Sequence, residues 1–471
     1  RQIHREELSD DEYVRITTLG CCREVGRAAF ILSTPETRIL IDCGDKPGAE
    51  GEVPYLQVPE ALGAGAQNLD AVVLTHAHLD HSALLPLLFK YGYDGPVFMT
   101  QATRDLIGLL QLDYLDVASK EGRTPPYSSE MIREELKHTI TLDYGDVTDI
   151  TPDIRLTLKN AGHILGSAVA HFHVGDGFHN LVFSGDIHYS DTRLFNGASN
   201  DFPRVETLFM ESTYGRNDDY QTDQEDSERK LTELINETYE NGGKVVIPAF
   251  AVGRSQELML VLEEAMREGR IPEMPIYLDG MIREATAIHT AYPHFLRDGL
   301  RQRILHEDEN PFLADQFQQV DGGDEMRRDI VDGDECIILS TSGMVTGGPI
   351  MSWLELLGTD PENTLMFVGY QAEGTLGRRI QSGRREIAFS DRGSRSEQLT
   401  LHFNVETVSG FSGHADRNGL ENYVRTMNPR PERVLCVHGD ESSTDQLSSG
   451  LYQDLNVRTN APKNTETYRF D

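Results

Sequence analysis

The sequence predicts an α/β protein: a β-sandwich interrupted by a second region of alternating strands and helices. Three observations predict it. Short apolar, β-branched runs separated by glycine-bearing turns open the chain, as in a sandwich. One such run, residues 69–74, leads straight into Thr75-His76-Ala77-His78-Leu79-Asp80-His81, a dense cluster of imidazole and carboxylate. Further on, strand and helix patterns alternate, which implies a mostly parallel sheet.

The chain has 471 residues, long enough for two domains with sizeable cores. No apolar run is long enough to span a bilayer and no signal-like segment opens the sequence, so a soluble, intracellular, cytoplasmic protein with no membrane partner is expected. The five cysteines (Cys21, Cys22, Cys43, Cys336, Cys436) form no C-x-x-C pair, which argues against disulfides or a thiolate zinc site. Acidic residues outnumber basic ones 77 to 43, a net charge of −34. The acids are spread along the chain rather than gathered in a tail, and arginine supplies most of the positive charge. This pattern fits a halophilic cell, where molar salt shortens the Debye length to about 3 Å. Net charge then says little about the ligand, and local basic residues decide.

In chain order, residues 1–12 are polar and acidic, a linker or frayed segment. Residues 13–17, 28–32 and 38–42 read as strands, with a glycine-bearing turn from Gly20 to Gly26. After the histidine cluster come a helix over 83–91, a strand at 96–99, helical periodicity over 103–120, a charged helix near 130–137 and extended chain at 139–142. The strand at 153–158 leads to Gly162-His163-Ile164-Leu165-Gly166, where flanking glycines let the backbone turn tightly and aim the imidazole inward. Residues 180–184 form a strand ending in Gly185-Asp186, and 209–215 carry Glu211. His138, His171, His173, His179 and His188 read as structural or exposed. The acidic stretch 218–228 reads as an exposed connection into a helix over 229–240. Strands at 244–248, 276–278 and 336–340 follow, with helices between. Ser342-Gly343-Met344 and Gly347-Gly348 make a glycine-rich turn after a strand, able to present backbone N–H groups to a phosphate. From about Gly393 the alternating run 399–403 suggests a return to the sandwich, continued by the segments that hold His414 and His438.

The spacing of the cluster carries chemistry. His76 and His78 share a face only in extended chain. A turn directly after them brings Asp80 and His81 round to a second, adjacent position. Imidazole nitrogen and carboxylate oxygen are the ligands that suit zinc and its neighbours.

The stretch resembles the H-x-H-x-D-H signature of the metallo-β-lactamase superfamily, whose fold is an αββα sandwich. Glu211, His414 and His438, in their contexts, resemble motifs A, B and C of the β-CASP nucleases, which insert an α/β domain into that sandwich. The phrases at 90–96, 139–145 and 277–281 look like the archaeal cleavage and polyadenylation specificity factor type of ribonuclease, and the resemblance covers essentially the whole chain. That type carries KH RNA-binding domains ahead of the sandwich. Residue 1 lies just before the first sandwich strand, so the sequence is expected to be either a truncated form of that type or a shorter relative without those domains. The implied domains are the first part of the sandwich over 1–215, the β-CASP domain over 216–393 and the second part of the sandwich over 394–471.

The resemblance implies two Zn2+ ions. His76, His78 and His163 would hold one; Asp80, His81 and His438 the other; Asp186 would bridge them, and Asp42 would orient the loop by hydrogen bonding. His414 is the implied catalytic acid, oriented by Glu211, with Asp80 and Asp186 also in the catalytic set. A histidine at motif C points to RNA. The implied reaction is endonucleolytic cleavage of single-stranded RNA to 5′-phosphate and 3′-hydroxyl ends, in RNA 3′-end processing and transcription termination. Arg254, Ser342, Gly343, Met344 and Arg378 are candidate RNA contacts. The transcription machinery is an implied partner, and residues 464–470 are a candidate edge strand for a homodimer. Three alternatives stay open: a 5′→3′ exoribonuclease of the same superfamily, a small-molecule metallohydrolase and a non-catalytic RNA-binding subunit. The second does not explain the inserted region, and the third would have lost ligands that are all present here.

Overall fold

A computed structural model describes residues 13–46, 52–57, 65–120, 122–307, 309–389 and 397–470. The expected linker at 1–12 lies outside them. Among the described residues the chain forms two compact units, the first drawn from 1–191, 196–220 and 414–471 and the second from 192–195 and 221–413.

The first unit is a pair of seven-stranded sheets. In one, the order is Thr467–Phe470, Val14–Thr18, Phe30–Ser33, Arg38–Ile41, Ala71–Val73, Val97–Met99, Thr139–Thr141. In the other it is Arg458–Asn460, Arg433–Val437, Thr207–Glu211, His179–Phe183, Ala168–Val174, Ile154–Asn160, Val147–Thr151. Alternate residues of both sheets face one shared core. Its centre is aromatic: Phe183 and Phe209 stack with centroids 4.5 Å apart, and Phe30 from the facing sheet sits 5.4 and 5.8 Å from them. A second core forms where helices Arg417–Arg425 and Glu441–Leu455 cover the outer face of the second sheet, around Tyr423, Leu447 and Leu451. No helix among the described residues is long and apolar enough to cross a membrane.

The two sheets bring the ends of their strands together. Val73 runs into the histidine cluster, Asn160 into the His163 turn, Phe183 into Asp186, and Val437 into His438. Glu211 is the last residue of its own strand. Strand register sets this convergence: Glu211 pairs with Val437 and Phe183 with Phe209, both in parallel.

The second unit holds a six-stranded, all-parallel sheet in the order Phe317–Gln319, Ile276–Asp279, Ile337–Ser340, Val245–Pro248, Thr364–Phe367, Asn404–Thr407. Its core surrounds Trp353, whose indole N–H donates to buried Asp279 (2.8 Å), which Arg327 also engages through two nitrogens.

Three details differ from the sequence reading. The helix placed at 229–240 begins at Gln224, inside the stretch read as a connection, because Asp223 caps it by accepting from Asp226 N (2.9 Å) and acidic residues favour a helix N-terminus. Strands Val147–Thr151 and Ala168–Val174 complete the second sheet. The alternating run near 399 belongs to a two-stranded ribbon, and Asn404–Thr407 joins the parallel sheet of the second unit. The chain re-enters the first unit at His414, not near residue 393. Alternation marks a strand but does not say which sheet takes it.

Candidate metal centre

The histidine cluster begins as extended chain and turns into a short helix, Leu79–Ser82. Asp42, at the end of the neighbouring strand, fixes this change of direction. Its Oδ1 accepts from Thr75 N (2.8 Å), and its Oδ2 accepts from Thr75 Oγ1 (2.9 Å) and His81 Nδ1 (2.7 Å). The loop also rests directly on Gly44, where a Cβ would meet Asp80 O at 1.7 Å. Only glycine permits that approach.

Two groups of ligand atoms result. His76, His78, His163 and Asp186 each offer an atom within 4.8 Å of the others, and so do Asp80, His81, Asp186 and His438. In the first group His78 Nδ1 lies 3.0 Å from His163 Nε2, and Asp186 Oδ2 lies 3.5 Å from His76 Nε2 and 3.7 Å from His163 Nε2. In the second, His438 Nε2 lies 3.3 Å from His81 Nε2 and 3.2 Å from Asp80 Oδ2, and Asp186 Oδ1 lies 3.5 Å from His81 Nε2. A tetrahedral ion with ligand bonds of 2.0–2.1 Å has ligand–ligand edges of roughly 3.3–3.4 Å. The separations, from 3.0 Å to 3.9 Å, bracket that edge, and the two sets share Asp186, so the residues present fit metal ligation.

In the first group the electrostatics agree. Burial pushes the pKa of His76 well down and that of His78 down to about 4, which keeps both imidazoles neutral and able to ligate. Buried His76 Nε2 has no hydrogen-bond partner among the described residues, a vacancy that a ligand–metal bond would satisfy. Burial opposes ionisation of Asp186, but the surrounding histidines, His438 first, hold its pKa well below the usual carboxylate range.

Beside the ligands, Glu211 Oε1 and Oε2 lie 2.9 and 3.0 Å from His414 Nδ1. Glu211 also accepts from the backbone N–H of Ile187 (2.8 Å) and Thr213 (3.3 Å). A carboxylate so engaged is itself held in place by the main chain. Burial alone would lower the pKa of His414; Glu211, then Asp186, outweigh it and lift it to about 9. His414, His78 and Asp80 are half-buried while the other members are buried, so the site opens on their side.

All seven expected ligands, Asp42 and the Glu211–His414 pair therefore converge. Thr75 and Thr213 escaped the sequence reading. Thr213 Oγ1 stands 3.3 Å from His438 Nδ1, and the signal available was a hydroxyl adjacent to each motif. In the second unit, Ser342, Gly343, Met344 and Arg378 follow the carboxyl ends of parallel strands, where open α/β sheets bind ligands. Ser342 and Arg378 are half-buried. Arg254 is buried, and its Nη1 donates to Phe411 O (2.9 Å) in the same unit. The segment expected to pair copies, Thr467–Phe470, is the outermost strand of its sheet, bonded on its inner side to Val14–Thr17.

Such a centre on a two-sheet scaffold with an inserted parallel α/β unit defines a metal-dependent hydrolase. Residues 23–239 match the metallo-β-lactamase superfamily, 255–380 the Beta-Casp domain, and 398–462 a Zn-dependent metallo-hydrolase RNA specificity domain. The chain belongs to the β-CASP metallo-β-lactamase family. It is 55% identical over 471 residues to a transcription termination factor, FttA, of Methanosarcina mazei, covering 100% of this chain and 74% of that protein. The factor of the same name from Methanothermobacter thermautotrophicus is 51% identical over 472 residues, with 100% and 74% covered. That of a Lokiarchaeum is 46% identical over 467 residues, with 99% and 73% covered. A solved structure of a protein of unknown function from Enterococcus faecalis shares the fold, with a TM-score of 0.56 at 13% identity over 97% of this chain and 100% of that one.

Proposed function

We propose that the chain is a zinc-dependent endoribonuclease that cuts single-stranded RNA to 5′-phosphate and 3′-hydroxyl ends, in RNA 3′-end formation and transcription termination. The observation that carries this reading is the His414–Glu211 pair standing beside two ligand groups that share Asp186. The relatives named as termination factors support the cellular role.

His76, His78, His163 and Asp186 would hold one zinc ion, and Asp80, His81, His438 and Asp186 the other. When bound, such a pair supplies a hydrolytic nucleophile at neutral pH and positive charge for the phosphate oxygens. Asp42 and Thr75 keep His81 and the loop oriented throughout. Glu211 holds the proton on His414 Nδ1, which sets the ring so that Nε2 faces the reacting phosphate. His414 then donates to the departing 3′-oxygen, and Glu211 stabilises the imidazolium beforehand. Ser342, Gly343, Met344 and Arg378 are the proposed contacts to RNA phosphates. The strand Thr467–Phe470 is the proposed pairing edge of a homodimer, and the acidic surface is proposed to serve a halophilic cytoplasm.

The test uses zinc-loaded protein and internally labelled single-stranded RNA at high salt, with His414→Ala as the control. Internal cuts bearing 5′-phosphates support the endonuclease. Stepwise loss from the 5′ end would replace it with the exonuclease reading. Equal cleavage by the control would remove His414 from its role.

A further inference from the structure

The loop between the first two strands, residues 19–29, is the feature that the ligand set leaves unexplained. Cys21, Arg23 and Arg27 all have positive φ (50°, 60° and 45°), a region that non-glycine residues occupy at a cost. Its base is drawn tight, since a Cβ on Gly20 would meet Arg27 O at 1.9 Å. A loop held in this conformation needs something to hold it.

Its backbone shows what the conformation accomplishes. Cys21 O accepts from His438 N (2.7 Å) and Glu24 O accepts from Gly439 N (3.1 Å). At the other end, Ala28 N donates to Asp80 O (2.9 Å) and Arg27 N donates to Asp45 O (2.8 Å). One loop therefore grips the main chain of both ligands whose near approach, 3.2 Å between His438 Nε2 and Asp80 Oδ2, belongs to the second ligand group alone. His438 itself has a positive φ of 49°, so its backbone depends on these partners.

The side chain that closes the loop is Glu24. Its Oε1 accepts from Arg27 Nε (2.7 Å) and Asn464 Nδ2 (2.7 Å), and its Oε2 accepts from Lys46 Nζ (2.8 Å) and Arg27 Nη2 (3.2 Å). Four bonds tie the strained loop to itself, to the segment after Asp45 and to the approach to the last strand.

We infer that Glu24 is a positioning residue for the second metal position: through the 19–29 loop it sets the spacing of Asp80 and His438, leaving the first position to His76, His78 and His163. The inference rests on the two-metal reading above. Outer residues that orient ligands typically carry 10–100-fold in metal affinity. Glu24→Ala is thus expected to bind a first equivalent of metal like wild type and a second at least tenfold more weakly.

The experiment titrates metal-free protein with Co2+ alone, following visible absorption and bound metal by equilibrium dialysis, for wild type, Glu24→Ala and Lys46→Ala. Lys46→Ala removes one of the four bonds and is expected to show the same selective loss, smaller in size. It decides the matter if Glu24→Ala does not fold. A first equivalent retained and a second one weakened supports the inference. Two equivalents bound as in wild type by the folded variants, or both weakened alike, overturns it. Wild type that takes up fewer than two equivalents would overturn the two-metal reading itself, a separate failure visible before any variant is measured.

Discussion

His414 Nδ1 is shared between the two oxygens of Glu211, at 2.9 and 3.0 Å, although the residues lie 203 positions apart in sequence. One ring nitrogen is thereby committed to Glu211, and in the proposed mechanism the other does the chemistry. His414→Ala should lower kcat by about 10²–10⁴-fold, the range of a lost general acid, with metal content unchanged. Glu211→Gln should lower kcat less and leave KM for RNA near wild type. Metal analysis alongside steady-state kinetics checks both.

Asp42 joins Thr75 to His81 through three hydrogen bonds. Asp42→Ala leaves every ligand in place but lets the His81 ring turn. Metal affinity should fall about 10–100-fold, measured by competition with a chromophoric chelator. Affinity equal to wild type would mean that the ring is held by other contacts.

Gly44→Ala should be far more damaging than its size suggests. The added methyl would lie 1.7 Å from Asp80 O and 1.9 Å from its carbon, both backbone atoms that cannot step aside alone. Loss of metal binding together with a fall in stability of several kcal/mol is expected, by thermal unfolding with and without Zn2+.

Buried Glu135 predicts a pH dependence. Burial raises its pKa well above the ordinary 4.5, and the one bond opposing this comes from Gln111 Nε2 (3.3 Å). A carboxyl whose pKa is raised on folding gives stability that is complete below 4.5 and is lost as pH climbs towards the folded value. Glu135→Gln removes that loss. The variant should be more stable than wild type at pH 8, on the order of 1–3 kcal/mol, with the gap narrowing as pH falls towards 4.5. Urea midpoints across that range check the sign.

Removing metal should destabilise the first unit as well as silence it. Asp80 and Asp186 face one another across the second ligand group, and Asp186 also serves the first. Saturation at a hundred times Kd contributes about 2.7 kcal/mol per site, so chelation should lower Tm by several degrees and added Zn2+ should restore it.

Legibility in the sequence followed distance along the chain. His76, His78, Asp80 and His81 lie within one turn of chain, so their spacing alone spoke for a metal. His163, Asp186 and His438 each sit at a different strand end, and only the motif resemblance named them together. Glu24 was silent because its partners, Lys46 and Asn464, come from opposite ends of the sequence. The burial of Arg254 was not legible, because sequence records that a side chain is basic and not whether it is buried. The run at 399–403 misled because a strand's period is the same in any sheet.

His81 and His438 meet at 3.3 Å although they lie 357 positions apart, and Val14–Thr17 finds its outer neighbour in Thr467–Phe470. During synthesis, a ribosome making 5–20 residues per second needs tens of seconds to pass from one of these histidines to the other. Throughout that interval the second candidate ligand group lacks His438 and the first sheet lacks the strand Thr467–Phe470. The proposed second ligand group is therefore complete only once His438 has been made.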